Sequence, residues 1–86
     1  MGISRRIFSQ AVQSGSAEIS DKLVEFGSTT SGTPSDDVGL IINRGSSTNA
    51  ILGWDESEDK FVAATTSATG ASTGSLTLTP TALKCG

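Results

Sequence analysis

Histidine and tyrosine are absent from this 86-residue chain, and cysteine and tryptophan occur once each. Without histidine the chain lacks the commonest zinc ligand and the most frequent general base of nucleophilic sites. A single cysteine cannot form an intrachain disulfide. No apolar run approaches the ~20 residues of a membrane-spanning helix, and residues 1–16 lack the apolar core of a secretory signal. These absences argue against an enzyme, a zinc protein, a disulfide-stapled domain and a membrane protein.

Large apolar side chains are also scarce. Apolar residues make up 35% of the chain, and the aromatic set is Phe8, Phe26, Trp54 and Phe61. Fourteen Ser, eleven Thr and ten Gly fill much of the rest, and these residues bury little apolar area. Such a composition offers a single copy too little burial to offset the entropy of ordering its chain. We therefore expect burial between subunits to complete the fold.

The charge balance is mildly acidic. Lys and Arg number 6 against 9 Asp and Glu, which gives a formal net charge of −3. A polyanion such as DNA or RNA is usually recognised by a basic patch or stripe, and the sequence has none. Nucleic acid is therefore not an expected partner.

Residues 1–26 differ from the rest and predict an N-terminal arm with one or two short elements. The apolar spacing in residues 7–12 fits a short helix, although a strand fits nearly as well, and residues 17–26 give a second short element of either kind. The apolar residues of the arm need a surface to bury against, so we expect this segment to contact a partner, although Arg5 and Arg6 could simply be solvated. The candidate contact residues are Arg5, Arg6, Ile7, Phe8 and Val12.

Residues 27–36 have the composition of a linker, and residues 37–86 read as a β-rich module. Short runs bounded by turn residues predict strands at 37–43, 49–55 and 60–66, joined as a meander. A Thr-rich strand follows at 76–82, and Pro80 should place it at a sheet edge or end it. The predicted fold class is mostly β: short antiparallel strands in a meander or small sandwich, completed by assembly, with an N-terminal arm or short helix.

Two patterns suggest chemistry but have simpler explanations. Residues 70–74 match the Gly-x-Ser-x-Gly nucleophile elbow of hydrolases, yet there is no histidine to activate the serine, which favours a flexible loop. Asp55, Glu56, Glu58 and Asp59 could ligate a hard cation, but acids between two strands are usually a solvated turn. Cys85 could be a reactive thiol, although a neutral bystander or a residue buried in a longer native chain is the favoured interpretation. We therefore predict no enzyme activity, no catalytic or metal residues and no cofactor.

The β-rich module resembles a known family in its motifs. Residues 37–46 read DVGLIINRGS, residues 49–57 read NAILGWDES, residues 60–62 read KFV, and residues 68–77 read ATGASTGSLT. Over residues 37–79, about half the chain, this text resembles a module of fibre-like structural proteins of tailed phages, especially marine cyanophages. Residues 1–26 do not match it.

The resemblance implies a virion structural protein that is homotrimeric and serves as a tail fibre or its attachment segment, assembled in the host cytoplasm. Its partners would be other copies of itself and other virion proteins of the tail or capsid, with residues 1–26 as the anchor. Alternatives are a capsid decoration protein and a host-surface glycan or receptor-binding module with Trp54 as the stacking platform. The residues expected to bury against neighbouring copies are Leu40, Ile42, Leu52, Trp54, Phe61 and Val62.

Overall fold

The computed structural model describes residues 15–85, which contain four β-strands and no helix. The strands are β1 (Val38–Ile42), β2 (Asn49–Asp55), β3 (Lys60–Thr66) and β4 (Thr79–Pro80). They form one antiparallel sheet in the order β1-β2-β3-β4. The mostly β fold class is therefore confirmed, and of the two arrangements expected for the strands the described residues adopt the single-sheet meander.

The strand boundaries follow local sequence signals closely. β2 and β3 begin and end where predicted, and β1 is one residue shorter at each end than the expected 37–43. β4 shrinks from the predicted 76–82 to two residues at the edge of the sheet. Pro80 has no N–H to donate to a ladder, in keeping with a short edge strand, and the N–H of Thr81 makes one further bond to the carbonyl of Ala63 at 2.8 Å.

The register divides the sheet into two faces of different character. Leu40 pairs with Leu52, which pairs in turn with Ala63, so these three side chains share one face. Ile41, Ile51 and Ala64 are paired in the same way and share the other. Ile51 is 4% exposed and Ala64 is 1% exposed, so the second face carries the core of the single chain.

A returning segment, residues 67–78, covers this buried face. The side chain of Asn49 donates from Nδ2 to the carbonyl of Ala68 at 3.0 Å. The hydroxyl of Thr66 is the other tie: it donates to the carbonyl of Thr77 at 2.9 Å and accepts from the N–H of Ala68 at 3.1 Å. Thr66 is only 3% exposed, its bond with Ala68 is buried and its bond to Thr77 is partly buried, so water has little access to replace them.

Leu76 and Leu78 alternate with exposed threonines and are half-buried, as expected for a segment with one side on the sheet. Leu76 lies over a depression that it shares with Gly39, Ile41 and Ile51. The core is nonetheless thin. Ile51, Ala64 and Ala68 are the buried apolar residues among those described, and no large side chain there is fully buried.

Two glycines face each other where β1 and β2 approach closely. Gly39 pairs with Gly53 in the register. A Cβ built on Gly39 would lie 2.5 Å from the carbonyl oxygen of Leu52 and 2.6 Å from the Cα of Gly53. A Cβ on Gly53 would meet the carbonyl oxygen of Val38 and lie 2.8 Å from the Cα of Gly39. Because these obstacles are backbone atoms, a larger residue at either position must displace a strand.

The residues before the sheet form no regular element within the described part of the chain. The short element predicted at 17–26 is wrong, since these residues form neither a helix nor a strand. The first element expected in the arm, at residues 7–12, lies outside the described residues. Ile19 and Leu23 are 63% and 88% exposed, so an amphipathic helix there would have no surface to pack on and little to stabilise it. The segment 27–36 is an exposed connection with a turn in which the N–H of Thr30 donates to the carbonyl of Gly27 at 2.9 Å.

Candidate functional site: an uncovered apolar sheet face

The face of the sheet opposite the returning segment is apolar and uncovered within residues 15–85. Leu40, Ile42 and Leu52 are each about half exposed, at 50%, 53% and 47%, and Phe61 is 85% exposed. Soluble monomers rarely leave several adjacent large apolar side chains open to water. We name this surface the apolar face; its members are Val38, Leu40, Ile42, Ala50, Leu52, Trp54, Phe61 and Ala63.

The apolar face has a shallow depression of about 500 Å³ at the end where β1 begins and β2 ends. Phe26, from the segment before the sheet, joins Val38 and Trp54 at its margin. Leu40, Leu52 and Phe61 line the remainder. The depression therefore combines residues of three strands with a side chain from outside the sheet, and every aromatic ring among the described residues contributes to it.

Trp54 and Phe61 form an aromatic pair within this depression. They are paired across β2 and β3, and their rings meet edge to face with centroids 5.0 Å apart and planes at 83°. This is a preferred geometry for aromatic pairs. The indole Nε1–H of Trp54 donates to Oε2 of Glu56 at 2.6 Å. The indole is thus half-buried and already paired, and Phe61 is the more exposed ring.

Asp37 holds the two sides of the molecule together beside this site. Its Oδ1 accepts from the backbone N–H of Glu56 at 2.8 Å, and its Oδ2 accepts from the backbone N–H of Leu76 at 2.8 Å. Its own N–H donates to the carbonyl of Gly74 at 2.9 Å. One carboxylate therefore fixes the β2–β3 turn and the returning segment to the start of β1.

The acidic residues at the end of β2 and after it form a turn. Oδ1 of Asp55 accepts from the backbone N–H of Ser57 at 3.1 Å and from its hydroxyl at 2.7 Å. Asp59 has a φ of 55°, the left-handed conformation that ends the turn. No cluster of three or more His, Cys, Asp or Glu residues suited to a metal ion occurs among residues 15–85.

The elbow-like motif at residues 70–74 is an exposed loop. Oγ of Ser72 accepts from the backbone N–H of Thr69 at 2.9 Å, and the N–H of Ser72 donates to the carbonyl of Thr69 at 3.0 Å. No strand-to-helix turn presents this serine, since the described residues have no helix. Cys85 is an exposed free thiol.

The predicted assembly residues are largely brought together. Leu40, Ile42, Leu52, Trp54 and Phe61 share the apolar face, whereas Val62 is paired with Gly53 on the opposite face. The predicted contact residues of the arm, Arg5, Arg6, Ile7, Phe8 and Val12, lie outside the described residues. Their role and the role of the apolar face in assembly remain predictions.

Sequence reasoning missed the residues that organise the single chain. Ile51 and Ala64 form its core, and Asp37 and Thr66 supply its long-range polar ties. The alternation of β2 already placed Ile51 opposite Leu52, but the pattern alone does not reveal which face a short Ser- and Thr-rich segment will cover. The polar ties join residues up to 39 positions apart, and no local motif signals them.

Comparisons with protein-family models, curated proteins and solved structures found no match to this chain. No helix of the described residues is long and apolar enough to cross a membrane.

Proposed function

We propose that this chain is a structural protein of a tailed-phage virion, acting as a tail fibre or fibre attachment segment through self-assembly and docking. The observation that supports self-assembly is the apolar face, which gathers five of the six predicted assembly residues and is not covered by the chain's described residues. The phage setting itself is supported by the sequence resemblance over residues 37–79.

Burial of the apolar face would contribute part of the free energy that an assembly needs. Burying a large apolar side chain fully is worth about 1.5–3 kcal/mol. Leu40, Ile42 and Leu52 are about half exposed, so each offers about 1 kcal/mol more on association, and Phe61 offers about 2 kcal/mol. The total of about 5 kcal/mol per copy is comparable with the low end of the entropic cost of association. Contacts beyond these four side chains must therefore supply the net affinity. We propose a homotrimer because the sequence resemblance over residues 37–79 implies one.

Residues 1–26 would then link the assembly to a tail or capsid protein. A capsid decoration protein would use the same parts, with the arm on the capsid and the sheet outside. The two differ in copy number, which quantitative gel analysis of purified particles would measure: a decoration protein is far more abundant than a fibre. Glycan stacking on Trp54 is less well supported, because its ring packs against Phe61 and its N–H is bonded to Glu56.

Light scattering of the full chain with Leu52→Asp tests the assembly step. The substitution puts a charge at the centre of the apolar face, where Leu52 is paired on both sides. We expect the concentration for half-association to rise at least about tenfold, because a buried unpaired charge costs more than the lost apolar contact.

Leu83→Asp is the matched control. Leu83 is 66% exposed, carries the same side chain and lies after β4, outside the three long strands. Its association should equal that of the unsubstituted chain. Equal association of all three proteins, with each folded by circular dichroism, would reject the apolar face as the assembly surface.

A further inference from the structure

The charges of the chain are divided unevenly between its two parts. All nine acidic residues lie in the described part, whereas two of the six basic residues, Arg5 and Arg6, lie in residues 1–14. Residues 15–85 therefore carry four basic residues against nine acids, a formal charge of −5, and residues 1–14 carry no acid. Two sheets packing face to face would bring like charges together, whereas a basic segment would be attracted.

Acidic groups also border the depression of the apolar face. A groove of about 280 Å³ adjoins it, sharing Phe26, Val38 and Trp54, and is lined in addition by Asp36 and Glu56. The surface is thus apolar in its middle and acidic at one end. Lys60 is the basic residue nearby, on the side where Phe61 and Glu58 lie.

The sequence contains one segment with the complementary order. Residues 5–12 begin with two arginines and continue with Ile7, Phe8 and Val12, without an acid or a proline. Arginine pairs well with carboxylates at the rim of an interface, and Phe is a suitable anchor for an apolar depression.

The connection between this segment and the sheet is long and exposed enough for the segment to reach a neighbouring copy. Residues 15–25 are exposed throughout, so nothing in the described chain folds them back over their own apolar face. Eleven residues in extended form span up to about 36 Å, enough to reach an adjacent subunit.

We infer that residues 5–12 of one copy bind the apolar face of a second copy, with Ile7, Phe8 and Val12 on the depression and Arg5 and Arg6 against its acidic border. Within residues 1–26, this assigns residues 5–12 to the neighbouring copy and leaves docking on a tail or capsid protein to the rest of the segment. The inference rests on the proposed self-assembly and specifies it: the interface is heterologous, segment onto face. Such an interface closes into a ring when the rotation from one copy to the next divides a full turn evenly. A ring of three copies, the proposed homotrimer, is one such closed arrangement.

A complementation experiment with full-length chains tests the inference. Phe8→Asp disables the segment, and Leu52→Asp disables the face. Each variant alone should associate at least about tenfold more weakly than the unsubstituted chain. An equal mixture should form a one-to-one complex of about 17 kDa, twice the chain mass of 8.7 kDa, since the intact segment of one variant binds the intact face of the other.

Three controls make the outcome decisive. Leu83→Asp should associate as strongly as the unsubstituted chain. Adding Arg5→Glu and Arg6→Glu to the Leu52→Asp variant, which supplies the intact segment, should weaken the mixed complex. The far-UV circular dichroism of Phe8→Asp should match that of the unsubstituted chain, which establishes that its sheet is folded. Association of Phe8→Asp at full strength would overturn the inference while leaving assembly through the face intact.

Two further results would also overturn it. If the variants do not combine in the mixture, the segment binds something other than a neighbouring copy, such as a different virion protein. If the unsubstituted chain is a monomer and Phe8→Asp associates, the segment covers its own face.

Discussion

Replacing Asp37 with alanine should destabilise the fold more than any other single polar substitution in the described part of the chain. The carboxylate accepts hydrogen bonds from the backbone N–H groups of Glu56 and Leu76, each at 2.8 Å, and both are partly buried. A hydrogen bond to a charged group contributes about 1.5–3 kcal/mol, and an N–H left without a partner retains its desolvation cost. Asp37→Ala should therefore cost about 2–4 kcal/mol, after allowing for partial access of water.

Urea unfolding followed by Trp54 fluorescence measures this loss, because the indole is bonded to Glu56 in the turn that Asp37 holds. All variants should be compared at one protein concentration, since association adds to stability. Asp37→Asn keeps one acceptor oxygen and should fall between the alanine variant and the unsubstituted chain.

Asp36→Ala is the neighbouring control. Asp36 is exposed, and its replacement should change the stability by no more than about 0.5 kcal/mol. If Asp37→Ala and Asp36→Ala unfold at the same urea concentration, the carboxylate of Asp37 does not hold the sheet and the returning segment together.

Four further substitutions, one of them a control, have expected outcomes in the same unfolding assay. Gly53→Ala should lower the free energy of unfolding by more than about 2 kcal/mol, because its Cβ would meet the backbone of β1. Gly70→Ala, whose Cβ would have nothing within 4 Å, should be tolerated. Equal effects of the two substitutions would contradict the close approach of β1 and β2. Asp59→Gly should raise stability by up to about 1 kcal/mol, since Asp59 has a φ of 55°, and a loss would show that its side chain matters more than its backbone. Thr66→Val should cost about 1–3 kcal/mol by removing the partner of the Ala68 N–H and the donor to Thr77, and an unchanged midpoint would indicate that the returning segment is held by apolar contacts alone.

Much of the sheet is readable from the sequence because its signals are local. Alternating apolar residues and flanking turns place β2 and β3 to the residue, and Pro80 marks where the last strand ends. The same alternation puts Leu40, Leu52 and Trp54 on one face, which the register confirms.

The rest depends on contacts that local patterns do not encode. The expectation that Val62 buries against neighbouring copies together with Phe61 rests on its apolar character alone, although adjacent residues in a strand point to opposite faces of the sheet. The cover over Ile51 and Ala64 is built from threonine hydroxyls, Asn49 and Asp37 rather than from an apolar strand. At residues 17–26, an apolar spacing compatible with a helix meets no surface in the described chain, so no helix forms there.

The central claim is that association through the apolar face completes a fold whose single copy has too small a core. Its most direct test is the solution mass of the full chain by light scattering over a dilution series, with urea unfolding recorded at each concentration. The account predicts a mass near 26 kDa, three times 8.7 kDa, at high concentration, and a midpoint that falls as the assembly dissociates. A constant mass of 8.7 kDa with cooperative unfolding that does not change on dilution would contradict it.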